Sequence, residues 1–240
     1  MSDSRTLLLI ADVLACTTSE ELSKKMGDVA QSFGFEYALY GVRVALPGVN
    51  DVLQHIESGY PEEYQRLYAD KNFIERDPTV AHALTDPSLI LWGDAMYTPE
   101  SFEVMEESRR HGLGYGLSAP VHQGAGIRGI LSLARDQHLK GGDELVTTKA
   151  GATVLANAVH VAMTRIVWPK LTERRHEKLN KREHDCLQLA ALGKSNAVIS
   201  DILNLSEGTV KFHMTNLLTK LGVSTRQQAI ALGVALGLVT

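Results

Sequence analysis

Cysteine, tryptophan and long apolar runs are scarce in this 240-residue sequence. The two cysteines, Cys16 and Cys186, stand in opposite halves of the chain, which excludes a disulfide framework or a multi-cysteine metal site and is typical of a reducing compartment. No uninterrupted apolar run approaches the ~20 residues that span a bilayer. No basic stretch precedes the short apolar run 6–15, as a secretory signal would require. These absences predict a cytoplasmic protein without a membrane segment.

Residue patterns of the common enzyme and cofactor sites are also missing. The nine histidines show no paired spacing of the kind that binds a metal, and neither cysteine has a recognisable catalytic setting. Gly124, Gly126 and Gly129 spell a dinucleotide-binding motif, but a strand-like run follows them where that motif requires a helix. We interpret these glycines as a hairpin loop. We therefore expect no metal, no cofactor and no enzymatic activity.

Charge is distributed unevenly along the chain. The formal net charge is −4, yet the residues from Lys170 onward hold 10 Lys/Arg and 6 Asp/Glu, against 14 and 22 in the rest of the sequence. A basic terminal segment on an acidic body favours a small module that binds an anion, and nucleic acid is the commonest such partner. The charge pattern is therefore typical of a chain whose last segment is a separate binding module.

Mixed helical and strand-like patterns fill the chain up to Trp168. Pro169 is expected to end the preceding helix, because proline lacks the backbone donor and clashes with the previous turn. The fold class is therefore α+β, with an N-terminal α-β-α sandwich over 1–168, a charged linker over 169–178 and an all-α module over 179–240. The predicted helices cover 5–15, 19–33, 61–70, 78–84, 99–111 and 143–167, and the predicted strands cover 36–45, 51–57, 88–92, 115–122 and 129–135.

The last segment reads as four short helices, each preceded by a residue that favours a helix N-terminus. Those residues are Asn180, Ser195, Ser206 and Thr225. Glu183 stands three residues after Asn180, at the spacing of a reciprocal capping pair. The second and third helices are joined by a short turn, which is the arrangement that places a helix in the major groove of DNA.

The third of these helices carries an apolar face and a polar face. Val210, Leu217 and Leu221 lie on the face that packs against its neighbours, and the opposite face is free to meet DNA. The predicted base-reaching residues are Lys211, Phe212 and Thr215, and the predicted phosphate contacts are Ser206, Thr209 and Lys220. From these residues alone, a helical protein-docking module remains the alternative, since three-helix units are common.

Many C-terminal residues stand at fixed spacings: Leu179 to Glu183, Leu187, Gly193 to Ser195, Ile199, Leu203, Leu205-Ser206, Thr209 to Lys211, His213, Lys220 to Val223 and Arg226. This pattern closely resembles the LuxR-type helix-turn-helix. Two departures are visible, since Asn180 stands where Thr is usual and Val198-Ile199-Ser200 replaces Glu-Ile-Ala. The resemblance implies a double-stranded DNA partner.

A second set of spaced residues lies upstream: Tyr60-Pro61, Tyr64, Tyr68, Asp77-Pro78, Trp92 and Gly112 to Ser118. Their order and spacing resemble the autoinducer-binding domain of quorum-sensing LuxR-type regulators, over roughly residues 34–135. The resemblance implies an α-β-α sandwich that binds an N-acyl-homoserine lactone. It also implies a ligand-responsive transcription factor that acts as a homodimer on a two-fold operator.

The resemblance assigns a role to each residue of the expected pocket. A buried lactone needs one acceptor for its amide and donors for its two carbonyls, since an unpaired polar group costs ~1–3 kcal/mol. Asp77 would accept from the amide, Tyr68 would donate to the acyl carbonyl and Tyr64 to the lactone carbonyl. Trp92 would pack on the ring, and Ser132 and Ser118 would add hydroxyls. The tail would lie among Leu39, Tyr60, Val80 and Leu113, with Gly41 and Gly116 leaving room.

Two alternatives stay open at this point. Tyr64 stands where the family usually has Trp, so one alternative is a LuxR-type regulator whose pocket binds a non-lactone small molecule or that acts without a ligand. Asp77 followed by Pro78 is also an ordinary helix start. A different class would be an enzyme that acts on the lactone, which a turnover assay separates from a binding protein.

Overall fold

The computed structural model describes residues 2–44, 53–124, 126–139, 141–173 and 179–239. The helices and strands lie within a few residues of the predicted ranges. The N-terminal elements are α1 (Ser2–Ala15), α2 (Ser19–Ser32), β1 (Tyr37–Val44), β2 (Leu53–Ser58), α3 (Glu62–Asp70), α4 (Pro78–Thr85), β3 (Ile90–Leu91), α5 (Phe102–Arg110), β4 (Tyr115–Gln123), β5 (Ile127–Arg135) and α6 (Asp143–Glu173). The C-terminal elements are α7 (Lys181–Ala191), α8 (Asn196–Leu203), α9 (Glu207–Leu221) and α10 (Arg226–Ala235).

The N-terminal unit is built on one five-stranded sheet in the order β2-β1-β5-β4-β3. The β3–β4 pair is antiparallel, with Ile90 opposite Ser118. The start of β1 meets the end of β5, since the Glu36 N–H donates to the Ala134 carbonyl at 3.1 Å. The end of β2 returns to the start of β1 through a 2.9 Å bond from the Gly59 N–H to the Ala38 carbonyl. Both contacts require antiparallel neighbours.

Side chains alternate between the two faces of this sheet. On one face, Tyr40 donates to Nδ1 of His160 on α6 over 2.6 Å, and α6 also carries the Arg165 side chain to the carbonyls at the end of α1. On the other face, Ala134 packs with Tyr60 and with Tyr64 of α3. Helices therefore cover both faces, and the predicted α-β-α sandwich is confirmed.

Helix α6 corrects one prediction, because it continues through Pro169 to Glu173. Proline removes one backbone hydrogen bond and disturbs one turn, but it does not stop a long helix whose earlier turns are fixed by packing. Ile166 and Val167, just before it, are buried. The stretch Leu145–Val167 is apolar and long enough to cross a bilayer by composition alone, but 56% of its most apolar window is buried within the structure.

The C-terminal unit consists of α7 to α10, and its predicted caps are confirmed. Asn180 and Glu183 form a reciprocal capping box at the start of α7, and Ser195 accepts from the Val198 N–H to cap α8. Ser206 caps α9, and Thr225 forms a second capping box with Gln228 on α10. Asn204 adopts the left-handed conformation (φ 53°) that turns the chain between α8 and α9.

Candidate functional site

A cavity of about 340 Å³ lies between the sheet and the helices α3 and α4. Strands β1, β2 and β5 form one wall, and apolar residues of the two helices form the other. Nine of the predicted ligand residues line it: Leu39, Gly41, Tyr60, Tyr64, Tyr68, Asp77, Val80, Trp92 and Ser132. The cavity has the size and the mostly apolar lining of a small-molecule site.

Asp77 is the buried carboxylate of this cavity and is held from two sides. It caps α4, where its Oδ1 accepts from the Thr79 backbone at 2.8 Å and from the Thr79 hydroxyl at 2.7 Å. Its Oδ2 accepts from the Tyr68 hydroxyl at 3.0 Å. Burial raises the pKa of Asp77, and the hydrogen bonds from Thr79 and Tyr68 oppose that rise. A carboxylate offers about four acceptor positions, so Oδ2 has room for one more donor.

Tyr60 places its hydroxyl at the same end of the cavity, beside the Ser132 hydroxyl. The residue is 9% exposed, and within the described part of the chain its Oη has no partner in good hydrogen-bond geometry. Burial raises the pKa of Tyr60 well above its usual range, so the group is a neutral phenol that retains its proton. A buried hydroxyl without a partner costs free energy, so this atom is suited to donate to a ligand oxygen.

Tyr64 lines the cavity, but its hydroxyl proton is used inside the protein. The Tyr64 hydroxyl lies 2.8 Å from Ser108 Oγ, and Ser108 donates its own proton to the Val104 carbonyl at 2.7 Å. Because Ser108 has one proton, the Tyr64 hydroxyl must be the donor in the first contact. The structure therefore directs this proton toward α5, and a hydrogen bond from Tyr64 to the lactone carbonyl stays a prediction.

Three predicted ligand residues do not line the cavity: Leu113, Gly116 and Ser118. Leu113 packs behind Tyr60 and Tyr64 in the apolar cluster. A Cβ on Gly116 would lie 2.7 Å from the Trp92 ring and would also meet the Leu133 carbonyl, so this glycine makes room for Trp92. The fully buried Ser118 hydroxyl accepts from Trp92 Nε1 at 2.9 Å and contacts Ser132 Oγ at 2.8 Å. It fixes two lining side chains from behind.

The sequence prediction missed several lining residues, among them Tyr97, Arg43, Gln54 and Arg128. Strand alternation carries a signal for two of them. On β1, Arg43 stands two positions after Gly41, and on β5, Arg128 stands four positions before Ser132. Because side chains two or four positions apart lie on the same face of a strand, each arginine shares a face with a predicted ligand residue. Tyr97 lies in a loop after β3, where no periodic pattern predicts its direction.

The predicted DNA-facing residues are gathered on the outer side of α9. Val210, Leu217 and Leu221 are buried, as predicted for the packing face. Phe212 is 61% exposed, although phenylalanine is usually covered. The other predicted contacts also lie at the surface, with Ser206, Lys211 and Thr215 exposed and Thr209 half-buried.

Lys220 differs from the other predicted DNA contacts. Its Nζ lies 2.8 Å from Oε2 of Glu183, whose side chain is 1% exposed. The same Glu183 oxygen accepts from the Asn180 N–H at 2.8 Å in the capping box. Lys220 therefore joins α9 to the start of α7, and a phosphate contact by this residue stays a prediction.

Comparison with known proteins identifies both parts of the chain. Residues 18–163 match the autoinducer binding domain, and residues 177–232 match the luxR family of bacterial regulatory proteins. The chain belongs to the LuxR family. It is a LuxR-type quorum-sensing transcriptional regulator with an autoinducer-binding domain and a helix-turn-helix domain.

Named relatives of this LuxR-type regulator match along most of their length. The transcriptional activator protein SolR of Ralstonia nicotianae is 32% identical over 91% of this chain and 92% of its own. The quorum-sensing regulator RhlR of Pseudomonas aeruginosa is 29% identical over 86% of this chain and 84% of its own. Among solved structures, Escherichia coli SdiA aligns with a TM-score of 0.81 at 25% identity, over 98% of both chains. A structure of SdiA in complex with octanoyl-rac-glycerol aligns with a TM-score of 0.78 at 25% identity, over 97% of this chain and 94% of that one.

Proposed function

We propose that this regulator binds an N-acyl-homoserine lactone in the cavity and, as a cytoplasmic homodimer, binds a two-fold DNA operator through α9. The proposal assigns it no catalytic residue, metal or cofactor. The observation that carries it is the buried Asp77 carboxylate, which is held by Thr79 and Tyr68 and faces an otherwise apolar cavity. Burying a carboxylate is costly, so a ligand N–H that uses its remaining acceptor position stabilises it further.

The ligand amide and the Tyr68 hydroxyl are suited to exchange partners at Asp77. In the structure Tyr68 donates its one proton to Oδ2 of Asp77. When a ligand N–H approaches the same oxygen, the Tyr68 hydroxyl can rotate its proton toward the adjacent acyl carbonyl. This exchange keeps every buried polar group paired, as a buried amide requires. It supplies both the acceptor and the donor that the sequence assigned to these two residues.

The ring carbonyl of the ligand then needs a donor other than Tyr64. The Tyr60 and Ser132 hydroxyls lie side by side in the lining, and Tyr60 Oη has no partner in good geometry among the described residues, so we assign this role to these two hydroxyls. A non-lactone ligand is the second candidate, because the Tyr64 proton is directed to Ser108. The complex of SdiA with octanoyl-rac-glycerol is consistent with an acyl ester in a related fold.

The proposed DNA surface is the outer face of α9. Exposed Lys211, Phe212 and Thr215 form the base-reading set, and Ser206 and Thr209 lie at the helix N-terminus, where backbone N–H groups meet phosphates. Lysine pairs with guanine in the major groove, and a phenyl ring packs on the methyl group of thymine. An exposed Phe212 on this helix is therefore better explained by DNA contact than by folding.

The proposed dimer interface lies on α6. Its exposed face carries Ala150, Val154, Asn157 and Val161, at alternating steps of four and three residues. This is the heptad spacing of helices that pair along a seam, and a polar residue within the seam fixes the register. A homodimer places two α9 helices on a two-fold DNA site.

The first test is thermal unfolding of the full chain with a panel of acyl-homoserine lactones of graded tail length, and with octanoyl-rac-glycerol in parallel. A ligand that binds only the folded state stabilises it by mass action, by ~2.7 kcal/mol at a hundredfold excess over Kd. We expect a melting-temperature rise that depends on lactone tail length. A rise with the glycerol ester alone would replace the lactone with a non-lactone ligand, and no rise with any compound would contradict ligand binding in this cavity.

A further inference from the structure

The end of the cavity farthest from Asp77 is lined by polar and cationic side chains. Arg43, Gln54 and Arg128 all line the cavity, and they stand at the end of β1, the start of β2 and the start of β5. Antiparallel pairing of neighbouring strands brings these three strand ends together at one end of the sheet. Gly41 supports this placement of the strands, because a Cβ added to it would lie 3.5 Å from Ile130 and 3.9 Å from Ile56. Gly41 stands two positions before Arg43, and these two isoleucines stand two positions after Arg128 and Gln54.

This end lies well away from the end that holds Asp77. Ser132 lines the cavity near Tyr60, and Arg128 stands four positions earlier on β5. Four residues of extended strand span about 13 Å. The wall between the two ends is apolar, formed by Leu39, Ile130 and Val80 among others. A ligand whose head contacts Asp77 therefore runs along an apolar wall toward the arginines.

Arg43 has a buried group without a partner at this far end. Its Nε is buried and makes no hydrogen bond within the described part of the chain. Among the described lining residues the acidic side chain is Asp77, which lies at the opposite end, so no described carboxylate of the lining faces the Arg43 guanidinium. A buried donor without an acceptor is costly, and more so when it carries charge.

We propose that the ligand tail ends in a carboxylate, which Arg43 binds with Arg128 and Gln54 beside it. Guanidinium groups bind carboxylates through two parallel hydrogen bonds, a geometry that a methyl-terminated tail does not use. The ligand class is thus an acyl derivative of a dicarboxylic acid, with its amide at Asp77 and its free acid at the arginines. This inference rests on the proposed function for the head of the ligand and extends it to the tail.

The test compares acyl-homoserine lactones of matched length whose tails end in a methyl, a hydroxyl or a carboxylate group. Affinity for the full chain is measured by calorimetry at fixed salt and pH, over a series of tail lengths. We expect the carboxylate form to bind at least about tenfold more tightly than the methyl form at the best length, as a charge-assisted hydrogen bond allows. The hydroxyl form should lie between them.

Variants assign this preference to a residue. Arg43→Leu should abolish the preference for carboxylate and improve binding of the methyl form, whereas Arg43→Lys should keep part of it. Arg66→Leu is the matched control, because Arg66 lies on α3 with its side chain 78% exposed and does not line the cavity. Thermal unfolding of each variant without ligand shows that it folds. If Arg43→Leu does not fold, Arg43→Gln, which keeps a polar side chain, replaces it in the binding measurements.

Each outcome separates the tail inference from the proposed lactone head. If methyl and carboxylate forms bind equally, or if Arg43→Leu leaves the preference intact, the tail inference is overturned and the lactone head stands. If no lactone binds, the lactone head is overturned, and mono-amides of long dicarboxylic acids test the tail alone. Binding of these amides that is lost in Arg43→Leu supports the tail inference, and absence of binding overturns it as well.

Discussion

Asp77 caps α4 and, in our proposal, also accepts the ligand amide, and two substitutions separate these roles. Asparagine caps a helix as well as aspartate does, whereas alanine loses about 1 kcal/mol of stability. In Asp77→Asn the amide oxygen can face Thr79, which leaves the NH₂ group toward Tyr68 and the ligand. We therefore expect Asp77→Asn to fold with near wild-type stability but to lose ligand response, and Asp77→Ala to lose both.

Urea unfolding and a ligand dose response on the same preparations measure the two effects. Asp86→Ala is the matched control, because Asp86 lies at the other end of α4 and does not line the cavity. An unchanged dose response in Asp77→Asn would remove the carboxylate from the ligand site and leave it as a helix cap.

His160 predicts a pH dependence of stability. It accepts from Tyr40 at Nδ1 and contacts Gln123 Oε1 at 2.7 Å through Nε2, which fixes the neutral form with its proton on Nε2. Burial lowers the pKa of His160 below its usual value of 6.5. The unfolded chain therefore binds the proton more readily, and stability is lost as pH falls from about 6.5 through the lower folded pKa.

We expect the urea midpoint of the wild type to fall over this range, and the fall to be smaller in His160→Gln, which does not titrate there. Comparing slopes against pH, and not absolute stabilities, removes the packing cost of the substitution. Equal slopes in the two proteins would assign the pH dependence to other groups.

At the residue scale, the sequence predicted which side chains surround the cavity better than what each does there. The sequence analysis had Gly116 leave room for the ligand tail and Ser118 add a hydroxyl to the site, but the structure has both behind the Trp92 ring, because a strand residue can face a neighbouring side chain as readily as a ligand. The direction of the Tyr64 proton depends on Ser108, which lies on another helix. Hydrogen-bond direction of this kind depends on tertiary contacts that no local pattern contains.

Helix α9 supplies a prediction about DNA. Lys211→Ala should weaken binding to a DNA site selected from a random pool by the wild-type protein, by about 1–3 kcal/mol, and relax preference at one base position if Lys211 reads a base edge. If it contacts a phosphate instead, the loss is uniform across sequences and the salt dependence falls by about one unit. Titrations at several salt concentrations distinguish the two.

Lys24→Ala is a suitable control for this experiment, since Lys24 is an exposed lysine on α2 of the N-terminal unit. It removes the same charge from a different surface. Unaltered affinity in Lys211→Ala at fixed salt would contradict the assignment of the outer face of α9 to DNA.

The Lys220–Glu183 contact supplies a prediction about how α7 and α9 are held together. Lys220→Met leaves the Glu183 carboxylate, which is 1% exposed, without its cation, and removing one partner of a buried ion pair costs about 3–5 kcal/mol. The double substitution with Glu183→Gln removes that unpaired charge, so it should recover part of the loss. Urea unfolding of the wild type, both single variants and the double variant gives the coupling energy. A coupling near zero would show that the pair does not stabilise this unit and would return Lys220 to the phosphate contacts.

At the element scale, local signals placed nearly every helix end. The caps at Asn180, Ser195, Ser206 and Thr225 were predictable because each is a short-range bond between a side chain and the next turn. Pro169 was the exception, since Ile166 and Val167 in the turn before it are fixed by burial and not by local preference. The order of the strands in the sheet could not be predicted from local patterns either. It depends on contacts between strands that are distant in the chain, which place β5 between β1 and β4.

The whole-molecule prediction concerns assembly through α6. Val154 and Val161 lie on the exposed heptad face, at 48% and 53% exposure. Exposed apolar residues that repeat along one helix face mark a contact with another helix. We expect Val161→Lys, and more strongly the pair Val154→Lys and Val161→Lys, to shift the protein toward monomer in sedimentation, because each places a charge in the seam.

The same variants connect assembly to DNA binding. A monomer brings one α9 helix to a two-fold operator, so its affinity should fall steeply for a two-fold site and little for an isolated half-site. Phe102→Lys is the matched control, since it adds the same charge to an apolar residue of α5 that is 43% exposed and leaves the α6 seam intact, so both measurements should stay unchanged. If the double variant remains dimeric and binds the two-fold site as the wild type does, the α6 seam is not the interface.

Because ligand and partner both stabilise the folded state by mass action, the melting temperature of an α6-paired protein should also rise with protein concentration, and this rise should vanish in the double variant.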